Sequence, residues 1–170
     1  YHCLLESVEG GEVRGRFSVV ALKPDLIWQS KKEKVFINRT AQTNLENFVE
    51  LSGKRPLESL RQLIAESWME NTHPLPPMAA GLFGYLGYDM IRHIETLPDE
   101  NLDQLDVHDS VLMRPSVVAI FDRLKDTITL CYQIRPAHFE TAENAWKTAN
   151  CELDLIETSL QAPLPSIPTV

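Results

Sequence analysis

The stretch MAAGLFGYLGYDMIRHIETLP, residues 78–98, says the most about the fold of this chain. Its glycines recur at every third position with aromatic residues between them, at Gly81, Gly84 and Gly87. Glycine inside a strand lets the backbone pass close to a neighbour, here under the rings of Phe83 and Tyr85. An apolar run follows at once, and its spacing is typical of a helix from about Asp89 to Glu95. The stretch therefore predicts a strand joined directly to a helix, and not a flexible linker.

Short strands precede this segment. Apolar and β-branched residues separated by breaks predict them over Tyr1–Val8, Arg16–Leu22, Leu26–Ser30 and Lys34–Asn38. The turn at Gly10-Gly11 separates the first two, and Lys23-Pro24-Asp25 breaks the chain before the third. The last two strands pair around the charged corner Lys31-Lys32-Glu33. Consecutive short strands of this kind favour an antiparallel meander.

Helices and one further hairpin complete the pattern. A helix begins at Pro56, where proline is tolerated, and apolar residues then recur at helical spacing, at Leu57, Leu60, Leu63, Ile64 and Trp68. An acidic loop covers Leu97–Asp109. After it, a hairpin joins Val117–Phe121 to Thr127–Ile134, and a last helix spans about Phe139–Leu160. We therefore expect an α+β fold, with a mainly antiparallel β-sheet and covering helices.

Composition narrows the choice of partners and compartment. The 170 residues are 44% hydrophobic and 24% charged, as in an ordinary globular domain. With 16 basic and 24 acidic residues the formal charge is −8, which argues against nucleic acid or an anionic membrane surface as the main partner. No apolar run approaches the span of a bilayer, and the first residues lack the features of a signal peptide. We expect a cytoplasmic protein.

The cysteines and the closing residues indicate a reduced domain followed by a linker. The chain has three cysteines, an odd number, at Cys3, Cys131 and Cys151, and none has C-x-x-C spacing. We therefore expect buried, reduced thiols instead of disulfides or a zinc site. Residues 161–170 carry prolines at Pro163, Pro165 and Pro168 and cannot pack as regular structure. Residues 1–160 are thus expected to form one domain, and 161–170 a proline-rich linker to something absent.

The residues alone assign no catalytic or metal site. The glycine spacing fits neither a dinucleotide fingerprint nor a P-loop. The histidines lack paired spacing, and the acidic loop lacks the ligand pattern of a calcium site. No serine has the context of a nucleophile. We therefore expect neither a catalytic residue nor a bound metal in this chain.

Glu6 and Ser7 are polar residues at the end of an apolar first strand. Such a strand end can offer a carboxylate and a hydroxyl to an amino-acid ligand. A simpler interpretation is that Ser7 starts the turn into Gly10-Gly11, and the residues alone favour it.

Three segments together resemble the N-terminal region of anthranilate synthase component I. They are LLES at Leu4–Ser7, GRFSVVALKPD at Gly15–Asp25 and GLFGYLGYDMIRHIE at Gly81–Glu95. The later hairpin VVAIFDRLKDTITL is similar to the family too, so the resemblance runs from about Tyr1 through the last helix. Aminodeoxychorismate synthase component I, of folate synthesis, shares much of the pattern. A purely structural or subunit-docking module is a third hypothesis.

The resemblance implies an enzyme that converts chorismate and ammonia to anthranilate and pyruvate in tryptophan synthesis. The ammonia comes from glutamine through a separate amidotransferase subunit. In the family, chorismate, Mg²⁺ and the general acid and base belong to a C-terminal half. This chain alone is therefore expected to be inactive and to need no cofactor of its own.

The resemblance also implies half of a feedback site for L-tryptophan, centred on LLES. Carried over by position, Ser7 is the first candidate and Glu6 the next, with the backbone of Leu5 nearby. The following strand supplies one further contact, from among Arg16, Phe17 and Ser18. Free tryptophan brings an ammonium that needs acceptors, a carboxylate that needs donors and an indole that needs an apolar wall. Once the resemblance is taken into account, ligand binding becomes the preferred interpretation of Ser7 over a turn role.

Overall fold

The computed structural model describes residues 1–7, 15–69, 75–98 and 103–163. Its strands are β1 (Cys3–Leu5), β2 (Phe17–Lys31), β3 (Lys34–Asn38), β4 (Val49–Glu50), β5 (Phe83–Leu86), β6 (Ser110–Asp122) and β7 (Thr127–Tyr132). Its α-helices are α1 (Pro56–Ser67) and α2 (Ala142–Gln161), and 3₁₀ helices span Tyr88–His93 and Pro136–His138. The turn predicted at Gly10-Gly11, residues 99–102 of the predicted acidic loop and the tail 164–170 lie outside the described residues.

Two long antiparallel strands form the centre of one sheet. β2 and β6 pair from Phe17 opposite Asp122 to Ser30 opposite Ser110. β1 and β3 lie along the outer edge of β2, and β7 and β5 lie along the outer edge of β6. β4 pairs with β3, so β2, β3 and β4 are neighbours in chain order. The predicted strands Arg16–Leu22 and Leu26–Ser30 are one strand, and β1 shares an edge of β2 with β3, so the predicted meander of short strands is not formed. The mainly antiparallel α+β fold is confirmed.

The predicted break at Lys23-Pro24-Asp25 is wrong, because β2 runs through it. Pro24 lies opposite Pro115 of β6, and the register shifts between Pro24 and Leu26. Neither proline has an N–H to contribute to the ladder, and a bulge is where a sheet tolerates proline. Lys23 takes up the irregularity with a φ of 50°. The same pairing begins β6 at Ser110 instead of at the predicted Val117.

The glycine segment does join a strand to a helix, but two details of the prediction change. The helix is a single 3₁₀ stretch, Tyr88–His93, and not an α-helix over Asp89–Glu95. The close neighbour is the backbone of β6 and not an aromatic ring. A Cβ added at Gly84 would lie 2.0 Å from the carbonyl oxygen of Val111, and one at Gly87 would lie 2.6 Å from that of Asp109. These glycines let β5 and the chain after it approach β6.

Helix α1 covers one face of the sheet. Leu60 and Leu63 pack with Trp28, and the Trp28 indole N–H donates to Ser59 Oγ at 3.0 Å. Since side chains alternate along a strand, Ile27 belongs to a second cluster on the other face. The helix predicted at Pro56 is confirmed, but Ile64 and Trp68 of its apolar set are exposed.

The second helix differs slightly from its predicted bounds. α2 begins at Ala142, after Thr141 accepts a hydrogen bond from the Asn144 N–H at 3.2 Å, and the segment before it is 3₁₀. Cys151 on α2 is exposed, and Cys3 and Cys131 are only partly buried, which corrects the expectation of buried thiols. In the described part of the chain, no helix is long and apolar enough to cross a membrane.

A buried ion pair joins the two central strands beside the proline bulge. Arg114 donates from Nε and Nη2 to the two oxygens of Asp25, at 2.8 and 2.7 Å. The side chains are 8% and 2% exposed. Arg114 Nη1 lies 3.4 Å from Glu66 on α1, which also accepts a two-bond contact from Arg39 at 2.5 and 2.8 Å. These contacts hold α1, β2 and β6 together.

Candidate functional site

The polar residues that follow β1 lie against the start of β2. In the ladder, Leu5 is opposite Val19 and Leu4 is opposite Val20. One step further, the Ser7 N–H donates to the Ser18 hydroxyl oxygen at 3.3 Å. The structure therefore brings together Glu6, Ser7 and Ser18, which the sequence had selected from two separate segments.

A groove of about 500 Å³ opens on this part of the sheet. Its lining comprises Leu4, Glu6, Ser18, Val20, Phe121, Asp122, Arg123, Asp126, Thr127 and Ile128. The apolar members are contributed by β1, β2, β6 and β7, and two of the four charged members, Arg123 and Asp126, by the turn between β6 and β7. Its volume lies within the range of small-molecule sites, and an apolar wall with a few polar groups is their usual composition.

Arg16 is engaged by the protein itself. Its Nε and Nη2 donate to Asp122 Oδ1 and Oδ2 at 2.8 and 2.6 Å, and its guanidinium lies 4.7 Å from the centre of the Phe17 ring. The hydrogen bond from Arg16 is the main reason that the pKa of Asp122 falls from 3.8 to about 2. The backbone N–H groups of Leu124 and Lys125 also donate to this carboxylate. Arg16 thus ties the start of β2 to the end of β6.

The other predicted contacts are placed less favourably. Phe17 is partly buried and packs against the cluster that contains Val19 and Ile120. Leu5 is 43% exposed on β1, where its backbone is part of the ladder with β2. Phe121 and Ile128 line the groove but were missed from the sequence. They lie more than a hundred residues from LLES along the chain, and no local signal connects them to it.

A larger cavity of about 890 Å³ lies elsewhere on the described structure, where the Lys23–Glu152 ion pair and Tyr132 form part of its wall. None of the site residues predicted from the sequence lines it. Its rim is mostly polar loop, Ala41–Glu46, and size alone assigns it no ligand.

The possible metal ligands and the Cys131 thiol, within the described part of the chain, indicate no other site. Among the described residues, no group of three or more His, Cys, Asp or Glu side chains is arranged to hold a metal ion. Burial raises the pKa of the Cys131 thiol, which opposes formation of a nucleophilic thiolate. The end of β1 and the groove beside it are therefore the best candidate site.

Comparison with known proteins identifies the family. No protein-family model matches the chain. Anthranilate synthase component 1 of Cereibacter sphaeroides is 58% identical over 127 residues, which are 75% of this chain and 25% of that protein. Its counterpart in Acetivibrio thermocellus is 30% identical over 164 residues, which are 86% of this chain and 32% of that protein. The chain belongs to the anthranilate synthase component I family.

A solved member of the anthranilate synthase component I family has the same fold. The crystal structure of the component from Streptococcus pneumoniae matches with a TM-score of 0.65 at 21% identity, over 96% of this chain and 32% of the solved one. The chain spans between 25% and 32% of the length of these family members.

Proposed function

We propose that this chain is the N-terminal, tryptophan-sensing part of an anthranilate synthase component I. The intact subunit would convert chorismate and ammonia to anthranilate and pyruvate in the cytoplasm. Ammonia would reach it from glutamine through a partner amidotransferase subunit. Chorismate, Mg²⁺ and the acid–base groups would be held by the rest of the polypeptide, so this chain alone would be inactive.

One observation carries the regulatory part of the proposal. Glu6 and Ser18 line a groove with an apolar wall, and Ser7, which is not among the lining residues, is held beside it by the bond from its N–H to Ser18. This is the combination that free tryptophan requires, because its charged end and its indole need opposite surroundings.

Each group has a defined part in this arrangement. The Glu6 carboxylate accepts from the ligand ammonium, and the Ser7 hydroxyl donates to the ligand carboxylate. The indole packs on the wall that contains Leu4, Val20 and Phe121. Arg16 acts as a brace for the strand ends through Asp122 and does not contact the ligand.

Inhibition follows if tryptophan also contacts the rest of the polypeptide and holds the two parts in an arrangement that binds chorismate poorly. Coupling of this kind is reciprocal for binding, so chorismate must weaken tryptophan binding by the same factor. A measured difference between the two factors would contradict a simple linkage between two sites.

The test uses Ser7→Ala and Glu6→Ala in the full-length subunit. A lost charge-assisted hydrogen bond costs roughly 1.5–3 kcal/mol, so we expect tryptophan to inhibit at about ten- to a hundredfold higher concentration. Turnover without tryptophan should stay nearly unchanged, because neither residue is placed in the reaction site. Glu157→Ala, an exposed acid on α2, is the matched control and should inhibit as the wild type does.

Two readouts separate the hypotheses. Product analysis distinguishes anthranilate from aminodeoxychorismate, and calorimetry with tryptophan distinguishes a sensor from a structural module, which would give no saturable heat. Unchanged inhibition in both Ser7→Ala and Glu6→Ala would refute the site while leaving the family intact.

A further inference from the structure

A polar pocket of about 620 Å³ lies between three elements outside the proposed tryptophan site. They are the β2–β3 turn, the first turns of α1 and the end of the 3₁₀ helix Tyr88–His93. Its charged lining consists of Arg55, Arg61, Arg92, His93, Glu33 and Glu58. Three guanidinium groups and an imidazole thus face two carboxylates.

Both carboxylates are already engaged. Glu58 Oε1 lies 3.7 Å from Lys54 Nζ, and Glu33 Oε1 lies 3.5 Å from His93 Nδ1. The pocket is therefore net positive on a chain whose formal charge is −8. A concave site of one sign concentrates ions of the other sign, so the local field favours an anion against the charge of the whole protein.

The basic groups differ in how firmly they are held. Arg92 is fixed from behind, since its Nε donates to Asp89 at 2.6 Å and its Nη1 to the Pro98 carbonyl at 2.9 Å. The His93 side chain is 9% exposed. Arg55 and Arg61 are exposed, and neither is paired with an acid in the part of the chain that the structure describes. Their guanidinium N–H groups are therefore the donors that remain available to a ligand.

The spacing of the two unpaired arginines indicates the size of the ligand. Arg55 precedes the first residue of α1, and Arg61 lies six residues on, which is about 9 Å along a helix axis. A ligand with two linked anionic groups can place one group against each guanidinium across that spacing, and guanidinium matches carboxylate and phosphate equally well in its fork geometry.

We propose that this pocket binds a small anion that carries at least two phosphate or carboxylate groups. Arg55 and Arg61 contact the anionic groups directly, and the Arg92 guanidinium and the His93 imidazole line the pocket beside them. Anion binding here does not depend on tryptophan binding, so refuting either proposal would leave the other unaffected.

Calorimetry on the full-length protein tests the proposal, with pyrophosphate and citrate titrated separately at constant ionic strength. We expect saturable binding of at least one of them, weakened about tenfold or more by the double variant Arg55→Gln/Arg61→Gln. The pyrophosphate and citrate arms decide between phosphate and carboxylate chemistry. An unchanged urea midpoint in the double variant confirms that it remains folded.

The matched control is Lys125→Gln/Lys147→Gln, which removes the same charge from exposed positions in the β6–β7 turn and on α2. It should keep the wild-type affinity within about twofold, because general electrostatic attraction changes equally in both doubles. If neither pyrophosphate nor citrate gives saturable heat, the proposal is overturned. Equal affinity loss in the two doubles, or none in Arg55→Gln/Arg61→Gln, also overturns it.

Discussion

Replacing Asp25 by asparagine tests what holds the centre of the sheet. The carboxylate is 2% exposed and accepts two hydrogen bonds from Arg114, at 2.8 and 2.7 Å. Asparagine keeps the shape but removes the charge and one acceptor oxygen, so the buried guanidinium loses its counter-charge and one of its two short hydrogen bonds. Arg114 retains one bond to the amide oxygen and the weaker contacts at 3.4 Å, to Glu66 and to the Ser67 hydroxyl.

The magnitude follows from this geometry. Removing one partner of a buried ion pair costs roughly 3–5 kcal/mol. The contacts that Arg114 keeps to Glu66 and Ser67 place Asp25→Asn near the lower end, at about 3 kcal/mol. For a chain of this size, that loss lowers Tm by roughly 6–12 °C. The paired replacement Asp25→Leu/Arg114→Met should recover most of the loss, since apolar residues of similar volume substitute well for a buried pair.

Urea denaturation followed by circular dichroism and tryptophan fluorescence measures these differences. Lys34→Gln is the control, because its pair with Glu50 spans 3.4 Å between side chains that are 64% and 42% exposed, and such pairs contribute less than about 1 kcal/mol. The reasoning fails if Asp25→Asn costs no more than Lys34→Gln. It also fails if Asp25→Leu/Arg114→Met loses as much unfolding free energy as Asp25→Leu and Arg114→Met lose separately, added together.

Two further outcomes depend on backbone and charge. Gly84 and Gly81 share a φ near 148°, but of the two only a Cβ at Gly84 would meet another atom, the Val111 carbonyl oxygen at 2.0 Å. We therefore expect Gly84→Ala to lower the free energy of unfolding by at least about 2 kcal/mol more than Gly81→Ala, as measured by urea denaturation. Equal losses in the two variants would exclude the clash as the cause. The pKa of Asp122 is depressed from 3.8 to about 2 in the folded protein, so its stabilising contribution is complete above pH 4 and is lost as the pH falls towards 2. Asp122→Asn should flatten the dependence of Tm on pH in that window, and an unchanged slope would show that the Arg16 contact does not persist in solution.

Local pattern was sufficient for several elements. Pro56 and the apolar spacing after it located α1, and alternating residues on both sides of Lys31-Lys32-Glu33 located the β2–β3 hairpin. These predictions rest on interactions between near neighbours in the chain, which the sequence displays directly. Their position at the end of an apolar strand singled out Glu6 and Ser7 but favoured a turn role, and only the LLES resemblance made ligand binding the preferred interpretation.

Tertiary structure decided the features that depend on distant partners. The residues next to Pro24 in the sequence predict a strand break there. β2 nevertheless continues, because Pro115 lies opposite Pro24 and Asp25 pairs with Arg114 across the bulge. The groove wall at Phe121 likewise exists only because β6 pairs with β2. By itself the sequence determined where α1 begins and where the β2–β3 and β6–β7 turns lie, since these depend on local contacts. Strand continuity and the composition of the site were decided by pairing, because a backbone ladder and a shared groove belong to two segments at once.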